Sequence, residues 1–469
     1  MSAFLDKAVA AGLVAILIFS ALAFGSNEPW SVGLFETFVT VLLLLWAVKS
    51  VADRRLKVSV PAAAAPIAGL VALGLVQSIS WWGGDGRTHS PSMDVEATRG
   101  AVAVLIFLLA SFIIGANFFV TRGRLGTLAN VLVIFGLAMS VFALVQYFTW
   151  DGRIYWLRRS AGTSFGPFVN RNHYAGYMEM LVPVPLALVL ARGVRKESWM
   201  FYGFASAVMG LTVVVSLSRG GIVSLVAGIA LVVIMSAGHE RRRARRSQGG
   251  PRADGAPVAR RSSVLIRRAG AVAIVAAAIA LGTVWIGAEG IINRASESVD
   301  QMKGGDAQGE LFSRTEVWKD SWKIIRDYPI MGIGLGAYET VFPAYARNNG
   351  MLLIDYAHND YIQVLTDAGA AGGLLALAFI VLILRAILRG MKSNDSLLAG
   401  LAIGCGAGVC SMLVHSMFDF NLQIPSNALL FLFLSAVVSH IATTVTEGGP
   451  EGALNRAAGV SVSGYATGV

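Results

Sequence analysis

Charge is what this sequence is short of: Asp, Glu, Lys and Arg make up 14% of the 469 residues, against roughly 25% in a soluble domain. With 55% apolar residues and a mean hydropathy of +0.64, that scarcity excludes an ordinary soluble globule. Cysteine is nearly absent too. The only two, Cys405 and Cys410, share one apolar run and point in different directions on a helix, so they imply neither a disulfide nor a metal site. There is no P-loop, no His-Glu-x-x-His and no Gly-x-Ser-x-Gly, which argues against an ATPase, a zinc protease and a typical serine hydrolase. The spaced glycines of "GIGLGAYE" follow a helical stretch and no strand, so they are weak support for a dinucleotide site. No carboxylate cluster suits a divalent cation; neither metal nor cofactor is expected.

What is present is a succession of apolar runs of about 17–24 residues, the length that crosses a hydrocarbon core of roughly 30 Å. The expected fold class is all-α, a polytopic membrane helix bundle of about 12 spans. These are read at about 8–25, 30–48, 61–79, 100–120, 125–148, 174–191, 199–217, 220–238, 269–287, 369–388, 397–416 and 427–443. The first run is not read as a cleaved signal, because no clear small-residue cleavage site follows it. The formal charge of +10 is concentrated in residues 239–268, where ten arginines face Glu240 and Asp254. Beside spans, such a block marks the cytoplasmic side and not a nucleic-acid site. Basic residues follow the second, fourth, sixth, eighth and tenth spans, so both termini are expected in the cytoplasm. The chain divides into N-terminal spans 1–5 (1–148), a second region (149–445) and a poorly ordered cytoplasmic tail (446–469). The second region holds spans 6–12, the cytoplasmic basic loop 239–268 and a long helical outer loop 288–368.

Three outer segments stand out: 149–173, the turn "SLSRGG" at 216–221, and 288–368. The first and third exceed about 15 residues, and connections that long are usually functional. In "SRTEVWKDSWKIIRDYP", Ser313 and Glu316 have capping-box spacing, and Trp318, Trp322 and Ile325 follow at helical intervals. Such an amphipathic helix could lie on the bilayer surface or roof the bundle. "HNDYIQVLTDAG" reads as a short helix running into the tenth span, with Asn359 as its candidate cap; Asn359 and Tyr361, like Arg158, Arg159 and Arg171, are expected to bind substrate.

A basic residue on the outer side needs its own explanation, and Arg153, Arg158, Arg159, Arg171, Arg219 and Arg314 are all placed there. Arg219 either snorkels to headgroups or binds an anion, and the adjoining Gly220 and Gly221 favour the anion because they let a ligand approach the backbone. Arg314 either pairs with Asp320 or Glu310 or joins a helix N-terminus in holding an anion. His358, ahead of a helix start, is the candidate base; the bland alternative is a structural hydrogen-bond partner. Asn172 with His173 in "NRNHYAG", and His415 with Asp419 in "HSMFDFNLQIP", are expected to support the fold or bind sugar. A transporter or flippase would instead need polar residues at mid-membrane depth and an internal repeat, and neither is read here.

Taken together, the "SRGG" turn, "SRTEVWKDSWKIIRDYPIMGIGLGAYE", "AHNDYIQVLTDAG", "FGPFVNRNHYAGYMEM" and "HSMFDFNLQIPSNAL" resemble the O-antigen ligase superfamily, which includes O-antigen and exopolysaccharide polymerases. The resemblance covers about residues 140–435. It implies an inverting GT-C-like glycosyltransferase of the bacterial inner membrane. This would act at the periplasmic face on a glycan carried by undecaprenyl pyrophosphate, without metal or nucleotide sugar. Arg219 and Arg314 would match the family's two arginines, and His358 its histidine. The acceptor would be lipid A–core or a growing glycan; membrane lipid is the surrounding partner and nucleic acid is not expected. The sequence does not give an oligomeric state.

Overall fold

The computed structural model describes residues 2–56, 58–84, 86–160, 163–247, 314–346 and 354–447. The chain is a polytopic helical membrane protein. Its helices are α1 (Ser2–Leu22), α2 (Pro29–Ala52), α3 (Ala64–Gln77), α4 (Val95–Phe118), α5 (Arg122–Phe148), α6 (Arg171–Leu181), α7 (Pro183–Leu190) and α8 (Trp199–Val215). They continue as α9 (Arg219–Ser247), α10 (Arg314–Asp327), α11 (Tyr338–Val341), α12 (Asp360–Gly390), α13 (Ser396–His415) and α14 (Pro425–Glu447). Two antiparallel hairpins interrupt the helical plan, Trp81–Trp82 with Thr88–His89 and Arg153–Ile154 with Arg158–Arg159.

Among the described residues, ten helices are long and apolar enough to cross a bilayer, counting α6 and α7 as one broken span, Arg171–Leu190. The expected span at 61–79 is instead the 14-residue α3. At roughly 21 Å it falls short of a full crossing, because it starts only after Pro61 and ends on the buried amide of Gln77. The expected span at 269–287, the start of the long outer loop and Ser313 lie outside the described residues.

Packing follows residue size. The span formed by α6 and α7 is almost wholly buried, and α13 lies against it through Gly400, Gly404 and Gly408, one per helical turn. A Cβ at Gly404 would stand 2.7 Å from the Val184 Cα, and one at Gly408 2.3 Å from the Met180 carbonyl oxygen. In lipid, where apolar side chains gain little by meeting each other, this close backbone approach supplies the contact. The outer helices keep large apolar residues such as Leu44, Ile134, Phe204 and Leu388 exposed, as a lipid-facing surface requires.

The two ends of the bundle differ. At one, Lys49 pairs with Asp6 and Asp53, Arg124 with Asp6, Arg122 with Asp395, and Arg243 donates to Ser396. At the other, α12 is broken at Gly369 (φ 59°, ψ −158°), a conformation that glycine alone adopts readily. The stretch after α10 lies in that break: Ile333 and Gly334 donate to the carbonyls of Thr366 and Asp367, and Ala370 and Ala371 donate to those of Pro329 and Ile330. Gln77 joins the same junction through Met331, Leu335 and Asp367. The short helix expected at "HNDYIQVLTDAG" is thus the first arm of α12, separated from the span proper by this break.

Candidate active site

The site is built where α13 stops. His415 is its last residue, and the chain then turns through 416–424 before Pro425 starts α14. Asp419 stands in that turn with only 1% of its side chain exposed. Four groups converge on it. Asn172, in the first turn of α6, donates its Nδ2 to Asp419 Oδ2 at 2.6 Å. The Phe420 amide donates to Oδ1 at 2.9 Å. Arg314, the first residue of α10, brings Nη2 to 3.5 Å from Oδ2 and donates Nη1 to the Phe418 carbonyl. His358 brings Nδ1 to 3.5 Å from Oδ1. Burial alone would raise the Asp419 carboxyl, but the His358 ring, then His173 and the Arg314 guanidinium, outweigh it and hold the group well below the usual carboxylate range.

His358 is held by its backbone as much as by its ring. Its φ is +50°, the left-handed region that a histidine rarely occupies and that clusters at functional sites. The next residue, Asn359, caps α12 by accepting from the amides of Tyr361 and Ile362, and its Nδ2 donates to the Met417 carbonyl at 3.0 Å. Asp360 donates its amide to the Ser416 carbonyl, and its Oδ2 accepts from Ser416 Oγ and the Leu422 amide. The start of α12 is therefore stitched to the turn that carries Asp419. The imidazole stands edge-on to Phe420 with ring centroids 5.0 Å apart; its Nδ1 is shielded while the ring as a whole is about a third exposed. At 3.5 Å the Asp419 contact is long for a hydrogen bond.

Arg219 is exposed at the start of α9, after a turn in which Leu217 also takes a positive φ of 58°. The turn is closed by Ser218 Oγ, which accepts from the Gly221 amide. It packs so closely on the site that a Cβ at Gly220 would lie 2.8 Å from His415 Nε2 and 3.2 Å from the Phe418 Cβ. Phe418 is thus the common neighbour of both arginine-bearing segments.

Beneath this layer lies a second one that sequence reasoning missed. Glu179 of α6 is fully buried, and its Oε2 is 2.9 Å from His415 Nδ1. Asp360, Asn421 and Asn427 are buried beside it; Asn427 Nδ2 donates to the His173 carbonyl and to Asn421 Oδ1. His173 is buried with its ring 5.0 Å from that of Phe420. The available signal was Glu179 itself, the lone carboxylate of an apolar span. Tyr361 donates its hydroxyl to the Leu413 carbonyl at 2.7 Å.

Other candidates are not gathered at Asp419. Arg158, on the second hairpin, pairs with Glu28 at 2.6 Å and lies 4.8 Å from the Phe24 ring centroid. Arg159 is exposed on the same hairpin, and Arg171 is half-buried at the start of α6. Arg314 pairs with Asp419 and not with Asp320, which holds Lys323 at 2.7 Å instead. Among the described residues no group of three or more His, Cys, Asp and Glu could hold a metal ion.

A family model described as O-antigen ligase matches residues 204–377, a segment that contains Arg219, Arg314 and His358. Among curated proteins, none matches this chain.

Proposed function

We propose that this membrane enzyme of the O-antigen ligase superfamily transfers a glycan from undecaprenyl pyrophosphate to lipid A–core at the periplasmic face of the inner membrane. The observation that carries the reading is the convergence of Arg314 and His358 on buried Asp419, with the Arg219 turn packed on the adjoining Phe418. The paired basic end is then cytoplasmic, as the positive-inside rule requires, and the site opens on the opposite side.

The chemistry follows from the groups. The acceptor hydroxyl oxygen attacks the anomeric carbon while the bond from that carbon to the phosphate oxygen breaks, and the bonding pair leaves with the lipid pyrophosphate. His358 takes the hydroxyl proton on Nε2 as its Nδ1–H turns to Asp419, a step worth about 10²–10⁴ in rate. The planar donor forks of Arg219 and Arg314 receive the negative charge developing on the diphosphate. Removing one such donor costs on the order of 10²–10³. Inversion follows from this single displacement. A polymerase extending a glycan on the same carrier would use the same groups with a different acceptor.

The test is transfer by the purified protein in EDTA from a defined undecaprenyl-pyrophosphate glycan, offered lipid A–core or a second lipid-linked glycan. Transfer to core identifies a ligase; transfer to the glycan alone identifies a polymerase. Wild-type rates in Arg219→Ala, Arg314→Ala and His358→Ala would remove the site altogether, and a requirement for added Mg²⁺ would overturn the metal-free mechanism.

A further inference from the structure

The inner face of α10 is fully committed to the protein: Val317 and Ile324 pack with Ile333, Ala337, Tyr338 and Phe342. This decides between the two placements open to an amphipathic helix, because a helix lying on the bilayer needs its apolar face for lipid. The outer face is of another kind. It forms an open groove of about 620 Å³ lined by Trp318, Lys319, Trp322, Lys323, Arg326 and Ile362.

This groove starts at the reaction centre. Arg314 is the first residue of α10, Trp318 one turn on donates Nε1 to the Ala357 carbonyl at 3.0 Å beside His358, and Ile362 lies in the first turn of α12. From Arg314 to Arg326 the helix runs about 18 Å, long enough to lie along several sugar rings. The Trp322 indole is 55% exposed although the helix's apolar side is buried elsewhere. Lys323 is fixed by Asp320 and the Tyr345 carbonyl, and the nearby Asp327 carboxylate accepts from the Tyr345 hydroxyl. Among the described lining residues three are cationic and none is a carboxylate; Lys323 is answered by Asp320, which leaves Lys319 and Arg326 for a ligand.

Resting on the glycosyl-transfer reading, we propose that this groove is a subsite for an anionic glycan, a pyranose chain bearing carboxylates, that leads away from the reaction centre. Indole faces offer broad apolar area to the C–H faces of sugar rings while staying wet at their edges. The Arg326 fork and the Lys319 ammonium group take the carboxylates.

The experiment uses the full-length protein in zwitterionic nanodiscs, with hexagalacturonate and neutral maltohexaose as probes, and measures binding by calorimetry. Hexagalacturonate should bind in a salt-dependent way, with maltohexaose weaker by about tenfold or more. Trp322→Ala and the double variant Lys319→Ala/Arg326→Ala should each weaken hexagalacturonate by about tenfold, the scale of one lost stacking or ionic contact. Arg314→Ala should keep this binding while losing transfer, so failure of the groove and failure of the transfer reading are told apart. Unchanged hexagalacturonate binding in the variants, equal binding of the neutral probe, or no binding at all would overturn the proposal. So would an effect of the variants confined to association with phosphatidylglycerol vesicles, which would make the face a lipid contact.

Discussion

Glu179 offers the sharpest test of how the site is supported. Its carboxylate and the His415 ring are both removed from solvent and 2.9 Å apart. His415 in turn lies against Gly220, and its carbonyl accepts from the amides of Phe418 and Asp419. Glu179→Ala would strip His415 of its partner and open a void in the most tightly packed span. Breaking a buried pair in this way costs about 3–5 kcal/mol. Glu179→Gln keeps the volume and one acceptor, so it exchanges a charge-assisted hydrogen bond for a neutral one, a loss of about 1 kcal/mol. Equilibrium unfolding in mixed detergent micelles would read both values. Because His415 braces the segments bearing Arg219 and Asp419, the Gln variant should also lower the turnover rate more than donor affinity. An Ala variant within about 1 kcal/mol of wild type would refute the reasoning, and so would a Gln variant as damaging as Ala.

Two further outcomes follow from geometry. Gly369→Ala should destabilise by about 3 kcal/mol or more, since it combines a backbone that alanine avoids with a Cβ placed 2.4 Å from the Ile330 carbonyl group; yield of folded protein after extraction would report it. Asp419→Asn should cut transfer by on the order of 10²–10⁴ while insertion is retained, because His358 loses the group that orients it. The pH dependence is set by sign. A carboxyl whose folded pKa is depressed stabilises fully above its unfolded value of about 3.9 and loses that contribution only as pH falls through the lower folded value. The Asp419 carboxylate's contribution, read as the stability difference between wild type and Asp419→Asn, should therefore still be present at about pH 5 and be lost only below about pH 4; a contribution already lost above about pH 5 would contradict the assignment.

The hydropathic runs were legible because lipid demands about 20 apolar residues per crossing, whatever the tertiary contacts. Arg219, Arg314 and His358 were legible for the converse reason: polar groups at the less basic end of a bundle call for an explanation. Partners were not. Arg158 is answered by Glu28, 130 residues away, and nothing local in either segment announces the pair. Glu179 was visible as the lone carboxylate of an apolar run, but its partner His415, 236 residues away, was not. The shortening of α3 depends on Gln77 meeting Met331, 254 residues on, a contact that no window of sequence contains. Local periodicity reports which faces are apolar; it does not report which helix ends meet.

Those meeting ends explain why polar groups gather at this end of the bundle. A helix terminus leaves backbone donors and acceptors unpaired, and a bilayer offers no water to satisfy them. Here the start of α12, the end of α13 and the starts of α6, α9 and α10 come together and answer one another: the Asp360 amide goes to the Ser416 carbonyl, the Leu422 amide to the Asp360 carboxylate, Asn359 Nδ2 to the Met417 carbonyl and Arg314 to the Phe418 carbonyl. The network leaves a small set of buried polar atoms without protein partners, among them His173 Nε2, Glu179 Oε1, Asp360 Oδ1 and Asn421 Nδ2, all in the layer under Asp419. Buried polar groups are satisfied almost everywhere in proteins, so each of these four atoms is a costly feature of the layer. The same convergence places the Arg314 guanidinium and the His358 imidazole on helix ends around one buried carboxylate. Building the site and resolving the broken helices are one structural solution.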